Sequence, residues 1–509
     1  MKKLGLEMEM VVANGDTGRS HLVCRYFEAL AAIKRRRGID ARIVRTGMRP
    51  VAVVCDSVES GLDNAFNHLE SALGPFAGGA GGLARLEAAV VSELADVLDA
   101  LKADGAVLLN ASEHPDCSLD EAFYTAARAP KPIYDYWVKY RGWHHHVGID
   151  AKAQNGPTTS VNVCDAVGAL NVMLGLAPAF VGLFANSPLE SGQATGCKEN
   201  RLTIWDRMFR PGTFRGDLDL CRAPERPFQD LGAYFRRAYG EGTVMHTVPL
   251  ADSRDYKGDP RTARVDGDPC LIGFLAGGTR QGTLAGSDER VVIEPSAGHF
   301  EHMQFAPFLD ARFRFRFGLR PSLDVLLAAL QAPGGIEAMM ERHGVEAYIE
   351  GRVPGAGFPD AGLLKEIGGA SEAVSVVMGP SALQQGLLNN LDEAGRLVRE
   401  WGWQYLRSLR QAAIVRALDD DAVWQLAGEV IAVAQAGLDA GEQRHLDYVR
   451  WVWRNRRTGA DRMLESWKSL QGSPAARLRA LAAQRAVVHP RDWTQPAPVA
   501  QGEAVSTLS

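Results

Sequence analysis

The segment from Ala166 to Ala185 is apolar almost throughout, broken only by Asn171 and Pro178, and it runs directly into a polar, turn-rich stretch. That stretch reads A-N-S-P-L-E-S-G-Q-A-T-G-C-K-E-N-R-L-T-I-W, from Ala185 to Trp205. A segment apolar all round needs either a bilayer or a protein core, and crossing a bilayer takes about 20 such residues. With Asn171 and Pro178 inside it and no basic flank, it reads as a buried helix kinked at Pro178. Asn186 and Pro188 cannot continue that helix. A rigid buried element therefore hands over to an irregular loop bearing Lys198 and Arg201, the usual way a scaffold presents ligand groups.

Charge narrows the function classes. The 509 residues carry a formal net charge of -5, which leaves no basic excess for a nucleic-acid backbone. The run Lys34-Arg35-Arg36-Arg37 reads as a solvated helix end. Seven cysteines are dispersed without a C-x-x-C pair, as expected of reduced thiols in the cytoplasm and not of a disulfide framework or a structural zinc site. The N-terminus gains Glu7 and Glu9 too early for a secretory signal. Small-molecule substrates are the expected partners, with no nucleic acid and no membrane, and a homo-oligomer stays open.

Period-two alternation in K-K-L-G-L-E-M-E-M-V predicts a strand with Glu7 and Glu9 on one face. Helices are predicted over residues 20–37, with Ser20 as N-cap, over 56–73, over 84–103 and over 166–184. Short strands are predicted at 41–43, 51–55, 107–110 and 158–163. Residues 212–298 read as hairpins and long loops. The alternating A-R-F-R-F-R-F from Ala311 to Phe317 predicts a strand with arginines on one face, and helices dominate from Asp324 onward. The division expected is a catalytic domain over 1–395, a helical portion of the same fold over 396–487, and a mobile tail over 488–509.

Two carboxylates at i and i+2 on a strand repel unless a cation or a basic partner lies between them, and hard cations prefer carboxylate oxygens. Asp63, Asn67 and Glu70 would share a face of the 56–73 helix. His144-His145-His146 and Ser160-Val161-Asn162-Val163 are two further polar strands or loops ahead of the kinked helix. Arginines at 312, 314 and 316 are costly if buried without an anion.

The A-N-S-P loop with Gly192, Gly196, Arg201 and Trp205 resembles the A-N-S-P-F-x-x-G-x-x-T-G-x-x-S-x-R-x-x-x-W loop of the glutamate–cysteine ligase family. G-L-E-M-E resembles that family's G-x-E-x-E strand, and H-H-H-V-G its H-V-H-V-G strand in bacterial carboxylate–amine ligases. T-S-V-N-V competes for the same slot by its likeness to the plant-type T-V-Q-V-N. The 308–321 segment resembles F-P-E-V-R-L-K-R-Y-L-E-M-R, with Phe308, Arg312 and Arg320 in register and His302 near a family histidine. Ala436-Gly437-Leu438, Glu442 and Thr458–Glu465 resemble C-terminal family segments. Gly318 departs from the pattern, standing where the family has a glutamate that ligates magnesium, with Glu294 or Glu301 as substitutes.

The resemblance implies an α+β fold, a glutamine-synthetase-like antiparallel sheet with helices on one face and a helical C-terminal portion. It implies an ATP-dependent carboxylate–amine ligase that forms a γ-glutamyl amide through an acyl phosphate. Magnesium would be held by Glu7, Glu9 and Glu70. Arg201, Arg312 and Arg320 would meet phosphate or acyl phosphate, and Asn186, Ser187, Asn162, His146 and His302 would line the nucleotide or substrate, with Asn67 a further substrate contact. Two other outcomes are a non-catalytic nucleotide- or amino-acid-binding scaffold of the same descent and a kinase that phosphorylates without ligating.

Overall fold

The opening alternation builds the central strand. β1 (Lys3–Asn14) buries Leu4, Leu6, Met8 and Met10 on one face and turns Gly5, Glu7 and Glu9 to the other. Each of these buried side chains contributes about 1.5–3 kcal/mol by leaving water. The computed structural model describes residues 2–117, 120–149, 153–250 and 261–493.

β1 sits in a nine-stranded sheet with β2 (Arg42–Thr46), β3 (Arg49–Val54), β4 (Val58–Ala65), β5 (His68–Ala77), β6 (Ala106–Leu109), β7 (Asn155–Val161), β8 (Ala311–Arg316) and β9 (Glu346–Gly351). The order is β8-β9-β7-β1-β5-β4-β3-β2, with β6 pairing the far end of β1, and the paired strands run antiparallel. Gly5 is required where β1 bulges against β5, because a Cβ there would lie 2.5 Å from Thr158 Oγ1 and 2.8 Å from Leu73 O. The fold is α+β, as the resemblance implied.

Long helices cover the methionine face. α1 (Tyr26–Arg36) and α2 (Gly82–Leu101) pack together there, and α2 lies on β1 and β5. α3 (Ala166–Gly175) and α4 (Ala177–Phe184) are the predicted kinked helix, bent by 48° at a break, with Pro178 in the first turn of the second half. Nearly every residue of both is buried, so the apolar run belongs to the core. Among the described residues no single helix is long and apolar enough to cross a membrane. α5 (Ala370–Asn389) lies on β7 and sends Gln384 Nε2 to Pro157 O, Thr159 Oγ1 and Ile349 O at 3.1–3.2 Å. One apolar core runs from Leu4 to Trp493.

Several expectations are corrected. Residues 56–73 form the β4–β5 hairpin instead of a helix, because their polar and apolar groups divide across a sheet with its turn at Phe66-Asn67. Ser20 accepts from Asn67 Nδ2 at 2.9 Å and does not cap α1, which starts at Tyr26 without a side-chain cap. Lys34 is not solvated: it is buried against Glu93 and Asp96 of α2. Ser60 and Ser71 donate to Glu93 Oε1 at 2.5 and 2.8 Å and complete that polar knot. Residues 212–298 contain the predicted hairpins as a separate four-stranded sheet, but also a helix, Leu231–Tyr239. Residues 488–493 of the expected tail pack on the fold. Val488 N donates to Pro359 O at 2.9 Å and Trp493 is buried, whereas 494–509 lie outside the described residues.

Candidate active site

The sheet face opposite the long helices carries charge in rows. Directly across the strands, Glu9 on β1 stands opposite Glu70 on β5, which stands opposite Gly61 on β4. Toward the other edge, Glu7 faces Gly156 on β7, and Glu350 on β9 lies between Thr158 on β7 and Arg312 on β8. Because side chains alternate along a strand, Glu7, Glu9, Glu70, Arg312, Arg314 and Glu350 all emerge on this one face. The two opening glutamates and the arginine-rich strand therefore share a surface, with the polar loop against it.

The acidic side of this face is crowded. Glu9 is 5% exposed and accepts from Gln154 N at 3.0 Å and Gln154 Nε2 at 3.1 Å. His68 Nε2 stands 3.8 Å from Glu9 Oε2, and His68 Nδ1 stands 3.5 Å from Asp63 Oδ2. Burial pushes the Glu9 carboxyl well above its usual range, and Asp63, Glu70 and Glu7 push it further, with Arg201 opposing. Like charges gathered in low dielectric hold together only with a proton or a cation among them. One oxygen each from Glu9 and Asp63 and one nitrogen of His68 lie within 4.8 Å of one another. The donor set thus fits the divalent metal that the resemblance implies.

The basic side is the reverse. Glu350, 1% exposed, meets Arg312 Nη2 at 2.8 Å, Arg352 Nη1 at 2.9 Å and Arg314 Nε at 3.6 Å. Burial alone would raise its carboxyl, but Arg312, Arg314 and Arg352 hold it far below the usual carboxylate range. Burial lowers the Arg352 guanidinium, and Arg312 lowers it again, with Glu350 and Glu9 pulling the other way. Three guanidinium groups around one carboxylate leave an excess of positive charge suited to an anion such as phosphate.

Arg201 joins the two sides. It is 2% exposed, meets Glu199 Oε1 at 2.8 Å and Val353 O at 2.7 Å, and acts electrostatically on Glu9. The bonds of Asn186 and Ser187 build the loop that places Arg201. Asn186 N and Ser187 Oγ donate to Glu199 Oε2 at 2.8 and 3.0 Å, Ser187 Oγ accepts from Arg201 N, and Asn186 Nδ2 reaches Asn110 Oδ1 and Ala356 O. The C-terminal portion clasps the same loop. Arg485 Nη2 donates to Asn186 Oδ1 at 2.7 Å, and Ala460 N to Ala185 O at 2.9 Å.

Other predicted residues fall elsewhere. The strand beside β1 is β7, so the T-S-V-N-V placement fits the sheet and the H-V-H-V-G placement does not. His146 lies in a 3-10 turn (His145–Gly148) with its ring against His144 and Tyr124. Asn162 is past the end of β7, exposed, and donates to Asp165 Oδ2 at 3.1 Å. His302 is buried in the short helix Ala297–His302, its ring edge-on to Phe305. Asn67 is buried and donates its Nδ2 to Ser20. Arg320 lies beyond the end of β8 and pairs with Glu301 at 2.8 Å, so Glu301 is no free substitute ligand. Gly318 is also past that strand, where a Cβ would lie 2.7 Å from Gly344 O. A glutamate there would collide with backbone, and Glu350 is the acid the face holds instead.

Glu350 and Arg352 were missed because E-A-Y-I-E-G is a short strand set among helices. Its alternation of Ala347 and Ile349 with Glu346, Tyr348 and Glu350 was the available signal. His68 and Gln154 carried no signal of their own, since their places follow from the hairpin register.

The structure thus sets buried carboxylates beside guanidinium groups on one face of an antiparallel sheet. Residues 3–254 match the family model of glutamate-cysteine ligase family 2. This match, over just under half of the chain, supports a glutamate–cysteine ligase-like assignment and suggests a ligase. No curated protein matches the chain at a significant level.

Proposed function

We propose that this protein is an ATP-dependent carboxylate–amine ligase that joins glutamate, through its γ-carboxylate, to an amine. The observation that carries this reading is the shared sheet face, where Glu7, Glu9 and Glu70 adjoin Arg201, Arg312 and Arg352. In the reaction a carboxylate oxygen of the substrate attacks the γ-phosphorus of ATP and ADP leaves. The amine nitrogen then attacks the acyl carbon of the resulting acyl phosphate, inorganic phosphate departs with the acyl-oxygen electron pair, and the amine loses a proton.

Glu7, Glu9 and Glu70 would hold magnesium, which when bound offsets charge on the phosphates. Arg201 and Arg312, fixed by Glu199 and Glu350, are pre-organised to meet the transferring phosphoryl group without reorganisation. Asn186 and Ser187 keep Arg201 in position. The buried loop around them excludes water that would hydrolyse the acyl phosphate. No protein nucleophile is needed. The free thiol state of all seven cysteines accords with a reducing compartment such as the cytoplasm.

The test uses purified protein, ATP, Mg2+, glutamate and a panel of amines. Amine-dependent ADP release that disappears in Glu9→Gln supports the ligase. Nucleotide binding without turnover supports the scaffold, and a stable phosphorylated product without an amide supports the kinase. The case for the scaffold rests on Gly318, which lies past the end of β8.

A further inference from the structure

The acidic half of the site is not built of oxygen alone. His68 is fully buried at the first position of β5, one residue past the hairpin turn, and its ring lies between two carboxylates. Its Nε2 stands 3.8 Å from Glu9 Oε2 and its Nδ1 3.5 Å from Asp63 Oδ2. Two ligand atoms that each sit about 2.1 Å from one cation lie roughly 3–4 Å apart, so the first separation suits a shared metal. The second puts Asp63 on the side of the ring from which a carboxylate orients a metal-bound imidazole. A second feature points to the same place. Gln154 is 3% exposed and its Nε2 donates to Glu9 Oε1 at 3.1 Å, while its Oε1 has no hydrogen-bond partner among the described residues. That oxygen belongs to the same planar amide, so a neutral donor is available beside Glu9.

From this we infer that Glu9, His68 Nε2 and Gln154 Oε1 form a mixed nitrogen–oxygen site for a first-row transition divalent cation, with Asp63 as the positioning residue on His68 Nδ1. Magnesium prefers an all-oxygen octahedron, whereas imidazole favours transition metals. The inference rests on the ligase reading only for its use: one metal position of that reading becomes selective for a transition ion, and the carboxylates of Glu7 and Glu70 remain for magnesium.

The experiment uses the full chain stripped of metal and titrated with Mn2+, first alone and then in large excess of Mg2+. Free Mn2+ is read by electron paramagnetic resonance and bound Mn2+ by electron spin-echo modulation from 14N. The expected result is a bound Mn2+ that survives the Mg2+ excess and shows modulation from a directly coordinated imidazole nitrogen. His68→Gln removes that modulation and weakens Mn2+ binding more than about 10-fold, and Asp63→Asn weakens it about 10-fold while keeping the modulation. Circular dichroism checks that each variant folds, and the wild-type modulation stands whatever the variants do. Bound Mn2+ without nitrogen modulation, or full displacement by Mg2+, overturns the inference, because His68 is then an internal counter-charge to Glu9 and no ligand. Amine-dependent ADP release separates the two claims. Release by an enzyme whose Mn2+ touches oxygen alone defeats only the metal assignment. A nitrogen-ligated Mn2+ in a protein that releases no ADP supports the metal assignment and defeats only the ligase.

Discussion

Glu9 and Glu350 are both buried carboxylates on the same face of the same sheet, and their surroundings drive them in opposite directions. Glu9 is hemmed in by Asp63, Glu70 and Glu7, so its carboxyl is pushed up; Glu350 is ringed by Arg312, Arg314 and Arg352, so its carboxyl is pulled far down. The acidic side lacks positive charge and the basic side has it in excess. A site of this kind is incomplete in itself at both ends, and a metal-bearing polyphosphate would supply a cation to one side and an anion to the other.

The sharpest way to break this contrast is Glu9→Gln. It removes a proposed metal carboxylate, and amine-dependent ADP release should fall by about 10³-fold, measured with a coupled assay at saturating ATP. Unchanged release would show that the acidic side is only structural. On the basic side, Glu350→Gln leaves three arginines without their shared carboxylate and should cost about 3–5 kcal/mol in urea unfolding. A loss below about 1 kcal/mol would mean that solvent, and not Glu350, compensates them.

Arg312 and Arg320 sharpen the comparison within one segment. Arg312→Met should lower ADP release by about 100-fold. Arg320→Met, which breaks the pair with Glu301, should leave turnover unchanged and shift stability by about 1 kcal/mol or less. Equal kinetic effects would move the phosphate site toward the far end of β8.

The smallest expected effect is in the pH dependence of stability. For Glu9 the folded-state pKa is raised above its ordinary 4.5, so metal-free protein loses stability as pH rises above that value. Glu350 has a depressed pKa, so its contribution is present above about 4.5 and is lost as pH falls. Thermal melting of metal-free protein should therefore decline on both sides, Glu9→Gln abolishing the alkaline decline and Glu350→Gln weakening the acid one. Divalent metal should restore the alkaline side in the wild type only.

The resemblance and the alternation in G-L-E-M-E and A-R-F-R-F-R-F were enough to foresee β1, β8 and the meeting of Glu7, Glu9 and Arg312. Period-two patterning carries its own evidence of which residues share a face. The β4–β5 hairpin was hidden because D-N-A-F-N-H-L-E also satisfies helical spacing, and only pairing with β1 settles the choice in favour of strands. His68 and Gln154 enter the site through register, which is a property of neighbouring strands and not of their own segments. Asn186 and Ser187 stood out in the loop as polar residues, yet their bonds run to Glu199, Asn110 and Arg201. A residue type alone does not distinguish a group that touches substrate from one that holds its neighbour in place.

The clasp between Arg485 and Asn186 has a consequence for synthesis. The bond spans almost 300 positions of chain, and Arg485 also caps Asn110 O and pairs with Asp360. A nascent polypeptide that has emerged only as far as Arg352 already carries every residue of the charged face, yet it lacks Arg485, which holds the loop bearing Arg201. Closure of that loop thus waits for a segment made after the whole charged face, and a chain ending before Arg485 lacks the latch.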